Sequence, residues 1–193
     1  GARCWLTRSI RISYTRAGGG VVRISYPTEQ TINVSPAVDP AVKSRITPSQ
    51  PLLWAPWDQH RLIAGLNFVT STTDGGVHWT RMSPDLGIPP GMDSIAGAKR
   101  LGGYGAIESM VASTVTPGEI WVGTDNGLIH VTRDTGRTWR DVSIAGIPSP
   151  RVANISSIEV SHRTPGEAYA AVEYLRSGDH KPYFFRTRDW GKT

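Results

Sequence analysis

Apolar and polar residues alternate along this chain in short runs, and the runs come in groups. The clearest group ends at Trp139: "ESMVAS", "IWVGT", "LIHVTR" and "TWRDVS" follow one another, rich in β-branched and aromatic residues. Each reads as a strand buried on one or both faces. "TPGE" forms the turn between the first two. Asn126-Gly127 forms the next, a two-residue hairpin turn in which both residues are expected at positive φ. The same order precedes this group in "LLWAPW", "RLIAGL", "FVTST" and "HWTRMS", and follows it in "ISSIEVS", "EAYAAVEY" and "YFFRTR". The last group carries seven extra residues between its second and third strands, within 174–183. No stretch sustains a helical period, and 14 prolines and 21 glycines would interrupt one. The expected class is all-β.

Between the third and fourth strands one word recurs: "STTDGGVHW" at 71–79, "VTRDTGRTW" at 131–139 and "RTRDWGKT" at 186–193. The copies share Thr72, Thr132 and Thr187, then Asp74, Asp134 and Asp189, then Gly76, Gly136 and Gly191; the first two add Trp79 and Trp139. Their aspartates lie 60 and 55 positions apart, and "TPGE" recurs after 48. Periods of this length mark propellers and related arrays. The expected architecture is an incomplete β-propeller of about three four-stranded antiparallel blades: 45–105, 106–154 and a truncated 155–193, each with one Asp motif. Residues 1–44 read as an irregular Arg-rich remnant of a preceding blade. A third Trp would fall at position 194, and closed propellers typically need about 4 to 8 blades. The chain therefore reads as part of a larger protein, with further blades of that parent among its expected partners.

The formal charge of +5 is concentrated at the N-terminus. Residues 1–28 hold five arginines and no acid; the remaining 165 hold 16 basic and 16 acidic side chains. The repeat region lacks the basic face that phosphate binding requires, so no nucleic-acid partner is expected. No apolar run approaches a membrane span. Cys4 is the only cysteine and offers no internal disulfide. The triplets "NVS" (33–35) and "NIS" (154–156) read as ordinary loop residues.

The repeated Asp has a structural explanation. Its carboxylate can accept hydrogen bonds from the backbone N–H groups of its own turn, the Gly takes a conformation unsuited to other residues, and the Trp packs between neighbouring blades. An Asp present at the same corner of every blade is poorly suited to be the single acid of one site.

With these spacings the motif resembles the Asp-box, or bacterial neuraminidase repeat. Residues 51–86 and 106–142 are similar to successive blades of large bacterial Asp-box proteins, related to sortilin (Vps10-type) propellers and tandem-propeller xyloglucanases. The resemblance implies a secreted, periplasmic or cell-surface location in a bacterium and no cofactor. It implies either a scaffold binding a glycan, protein or peptide, or part of a glycoside hydrolase whose catalytic carboxylates lie partly outside this chain. The Arg-Ile-Pro motif of sialidases is absent, since Ile88-Pro89 and Ile147-Pro148 each follow Gly. In such propellers the Asp-box turns lie opposite the ligand face, which the second-to-third turns and blade connections form. Here that face would include 83–108 and 174–182. Glu108 and Asp93 are the candidate carboxylates; Lys99, Arg100, Tyr104, Glu173, Arg176, Asp179 and His180 are candidate binding residues. The histidines share no ligand spacing, and no metal site is expected.

Overall fold

The computed structural model describes residues 3–6, 10–17, 20–36, 44–89, 91–92, 104–146 and 152–193. Their strands form four antiparallel sheets, each a meander in which chain neighbours are also hydrogen-bonded neighbours. Sheet 1 contains β1 (Arg3–Leu6), β2 (Ile10–Ala17), β3 (Gly20–Tyr26) and β4 (Gln30–Asn33). Sheet 2 contains β5 (Leu52–Ala55), β6 (Asp58–Gly65), β7 (Val69–Thr72) and β8 (Thr80–Arg81). Sheet 3 contains β9 (Ile107–Ala112), β10 (Ile120–Thr124), β11 (Ile129–Thr132) and β12 (Arg140–Asp141). Sheet 4 contains β13 (Asn154–Val160), β14 (Ala168–Tyr174) and β15 (Asp179–Thr187). The architecture is that of propeller blades. Where the sequence suggests only an irregular N-terminal remnant, the backbone completes a four-stranded sheet.

The core lies between sheets rather than within them. Val21 and Val34 of the first unit pack with Leu62 of the second. Ile63 and Val69 of the second pack with Ile107, Ile120 and Val122 of the third. Trp121, Ile129 and Val131 of the third pack with Ile155, Ile158 and Val172 of the fourth. Glycine permits the closest approaches. A Cβ on Gly123 would lie 2.3 Å from Ile155 Cγ2, and one on Gly65 would lie 3.0 Å from Ile107 Cγ2. Ile107, the first residue of β9, and Ile155, the second of β13, thus each fit a notch in the preceding sheet.

A second fastening recurs where the fourth strand ends. Val21, Val69 and Ile129 donate their N–H groups to the Oγ of Ser35, Ser83 and Ser143 at 2.9, 2.8 and 2.9 Å. The residue before each serine returns a bond: Val34, Met82 and Val142 donate to the carbonyls of those same three residues. "NVS" at 33–35 is therefore one copy of a clamp that recurs as "RMS" and "DVS". It identifies sheet 1 as a blade of the same type, although no Asp motif is present there.

One local expectation needs correction, and two further details were not specified by the sequence. Gly127 takes φ 88° but Asn126 is not at positive φ; its side chain is instead committed to hydrogen bonds described below. The seven-residue insertion does not form a wide loop: it makes a short 3-10 turn, Leu175–Ser177, and then lengthens β15, with Tyr174 paired to Asp179. Trp79 and Trp139 are half-buried rather than buried, because each indole lies at the margin of its inter-sheet cluster.

Candidate functional site

Strand alternation assigns every turn to one of two ends. Turns joining strands one to two and three to four share one end; turns joining two to three, and the connections between sheets, share the other.

The first end is built for fastening. Thr72, Thr132 and Thr187 each donate to the Asp two residues on at 2.8 Å and accept from the Gly N–H at 2.9 Å. The same Asp oxygen accepts a backbone N–H four residues later, from His78, Thr138 or Thr193. These donors favour the ionised carboxylate. Hydrogen bonds from Thr138 hold Asp134 at about 2, those from Thr193 hold Asp189 at about 2, and the His78 backbone bond leads in lowering Asp74. The residue after each Asp is also left-handed: Gly75, Thr135 (φ 61°) and Trp190 (φ 58°). Through it the turn docks on the neighbouring one-to-two turn, with Thr135 N donating to Gly118 O and Trp190 N to Gly166 O, both at 3.0 Å. Each motif glycine presses on the preceding sheet's clamp residue, a Cβ on Gly76, Gly136 or Gly191 falling within 3.0 Å of Val34, Met82 or Val142.

The second end carries a network of largely buried polar groups. Arg45, almost fully buried, donates to Asp85 at 2.7 Å and to the Gly105 carbonyl at 3.3 Å. Asn67 accepts from the Arg45 N–H and donates to Asp85, at 3.0 and 2.8 Å. Asn126 donates to the Gly87 carbonyl at 2.9 Å, tying the sheet 3 turn to the preceding connection. Asp125 accepts from the Gly105 and Ala106 N–H groups at 2.6 and 3.0 Å. Burial raises the Asp125 carboxyl; those amides and Arg176 oppose the shift, and the charge of Glu108 adds to it. From sheet 4, Arg176 reaches across, donates to the Asp125 carbonyl, and lies 4.5 Å from the centroid of the Tyr104 ring. A buried polar seam thus joins sheets 2, 3 and 4, with a cation–aromatic pair on top.

Of the sequence candidates, the structure pairs Tyr104 with Arg176, and the charge of Glu108 acts on the Asp125 beneath them. Glu173 and His180 are exposed on the lengthened hairpin, and Asp179 is occupied there, accepting from the Tyr183 hydroxyl at 2.6 Å and the Lys181 N–H at 3.0 Å. Asp93, Lys99 and Arg100 lie outside the described residues. Sequence reading missed Asp125, Arg45, Asn67 and Asp85. The only available signal was the polar triplet Asp125-Asn126-Gly127, one residue richer than a tight turn requires. Among the described residues no group of three His, Cys, Asp or Glu is arranged to hold a metal, and no helix is long and apolar enough to cross a membrane.

No protein-family model matches the chain, and no curated protein matches it in sequence. Solved structures do. The GH74 xyloglucanase from Xanthomonas campestris superposes with a TM-score of 0.58 at 17% identity, over 97% of this chain and 28% of that one. The extracellular domain of the hybrid two-component system BT4673 from B. thetaiotaomicron gives 0.57 at 10% identity, over 96% and 20%. The computationally designed Ika4 protein gives 0.50 at 12%, over 97% and 89%. These likenesses establish a propeller fold. The chain spans about a quarter of the length of the first two proteins.

Proposed function

We propose that this chain is a segment of an Asp-box propeller, of the sortilin and xyloglucanase type, acting as a scaffold that binds a glycan, protein or peptide on its second-to-third-turn face. The observation that carries this reading is the Arg176–Tyr104 pair held above buried Asp125. Three sheets fix its base, so little ordering entropy is lost when a ligand docks. A guanidinium backed by an aromatic ring suits carboxylates, hydroxyl groups and the faces of sugar rings. An extracellular neighbour and a xyloglucan-degrading one are consistent with a secreted or surface-exposed parent. The test is a binding screen of xyloglucan, other β-glucans, sialosides and peptide libraries, with Tyr104→Ala and Arg176→Ala beside the native chain. Saturable binding weakened at least about 10-fold by either substitution supports the reading. Binding indifferent to both would overturn it.

A second reading, part of a glycoside hydrolase, is favoured by one observation: the charge of Glu108 bears on Asp125, whose carboxyl burial already raises. Glycoside hydrolysis uses two neighbouring carboxyl groups. Turnover abolished by Glu108→Gln or Asp125→Asn would favour this reading; unchanged turnover would exclude the pair.

A further inference from the structure

The Asp turns of sheets 3 and 4 meet in a seam bounded on both sides by the sheets described above. At its centre is Trp190, the left-handed residue after Asp189. Its indole lies against the Gly166 backbone, where a Cβ would fall 2.6 Å from a ring carbon, and its N–H donates to Glu119 at 3.0 Å. Arg133 lies over the ring at 4.0 Å from its centroid, and Arg140 donates to the Trp190 carbonyl. Arg137 belongs to the same turn as Arg133. All three arginines are exposed, and among the described residues none of them is in an ion pair. The acids beside them are engaged: Asp134 by Thr132 and Thr138, Asp189 by Thr187 and Thr193, and Glu119, which is buried, by Trp121 and Trp190.

The fold does not need these side chains. In the seam between sheets 2 and 3 their places are taken by Thr73, Val77 and Thr80, with Thr135 in the place of Trp190. That seam docks through the same backbone bond at 3.0 Å, Thr135 N–H to Gly118 where this one has Trp190 N–H to Gly166. Three arginines and a tryptophan therefore stand on one seam for a reason other than closing it. A guanidinium stacked on an aromatic face keeps its N–H edge free, and that edge matches the paired oxygens of a carboxylate or sulfate. The seam offers little else. The indole is covered by Arg133 and Gly166, and the nearest strand edge, β12, is two residues long, too short for a main-chain ladder. A partner here is read through charge, with neither an apolar anchor nor an added strand. We propose that this end of the molecule, opposite Arg176 and Tyr104, binds an acidic polysaccharide whose repeating carboxylate or sulfate groups bridge Arg133, Arg137 and Arg140.

The test titrates the full 193-residue chain into fluorescein-labelled oligogalacturonate and, separately, labelled dextran sulfate, two probes that distinguish carboxylate from sulfate. Fluorescence anisotropy should rise to saturation with at least one of them, and the affinity should fall as salt is added. A triple variant, Arg133→Thr with Arg137→Val and Arg140→Thr, carries the residues of the seam between sheets 2 and 3. It should bind at least about 5-fold more weakly, the summed loss of three modest exposed charge contacts, with its circular dichroism spectrum retained. Should that variant not fold, NMR on the native chain decides: the Trp190 indole N–H signal should shift with added oligomer, while that of Trp79, in the seam between sheets 1 and 2, stays in place. No saturable binding, equal binding of neutral dextran, a poly-glutamate peptide or duplex DNA, or full binding by the triple variant, as when the arginines of residues 1–28 hold the polymer, would overturn the proposal.

Discussion

Sheets 1 and 3 share a frame and differ in how it is fastened. Both are four-stranded meanders, and both close with a serine clamp, Ser35 on Val21 and Ser143 on Ile129. Sheet 3 adds an Asp turn, a motif tryptophan and neighbours on both faces, so that β10 and β11 are buried throughout. Sheet 1 turns instead through Pro27, Thr28 and Glu29, and its β4 is exposed throughout. The clamp is thus the constant that closes the blade, while the Asp turn is an addition that couples one blade to the next. Its glycine and tryptophan both reach the preceding sheet.

The comparison can be broken most severely at Trp139. Trp139→Ala should cost about 3 kcal/mol in urea unfolding, because a large apolar group leaves the seam between sheets 2 and 3; Thr31→Ala, at the matching place in sheet 1, should cost far less. Gly123→Val should cost about 2 kcal/mol by forcing Ile155 out of its notch, and a neutral outcome would show that the seam is loosely packed. Thr132→Val removes the hydroxyl that accepts from Asp134 and Gly136, for about 1.5 kcal/mol. Ser35→Ala and Ser143→Ala should each cost about 1 kcal/mol. Similar losses would establish the clamp as common to both blades; loss at Ser143 alone would separate them.

The smallest effect is expected in acid. Asp134 and Asp189 are held at about 2, below the ordinary 3.8, so their contribution to stability is complete above about 4 and is lost as pH falls through about 2. Carboxyl titration by NMR should place both midpoints near 2, with Asp125 displaced in the opposite direction. The corresponding turn of sheet 1, at residues 27–29, contains no Asp.

Sequence alone determined the strands of sheets 2 to 4, their antiparallel order and the three Asp turns, but not the four strands of sheet 1. Each of these rests on residues a few positions apart: alternation defines a strand, and Thr72, Asp74 and Gly76 satisfy one another inside a single turn. The serine clamp was present in the sequence as "NVS", "RMS" and "DVS", but a short word with one constant residue carries no weight until a hydrogen bond across 14 positions gives it meaning. Tertiary structure alone decided that Arg176 would lie over Tyr104, that Asp125 would hold the 105–106 backbone, and that Ile155 would need a glycine at 123. These contacts span 19 to 72 positions. They depend on how far one twisted sheet is rotated against the next, which is set by the summed packing of whole faces rather than by any local run of residues.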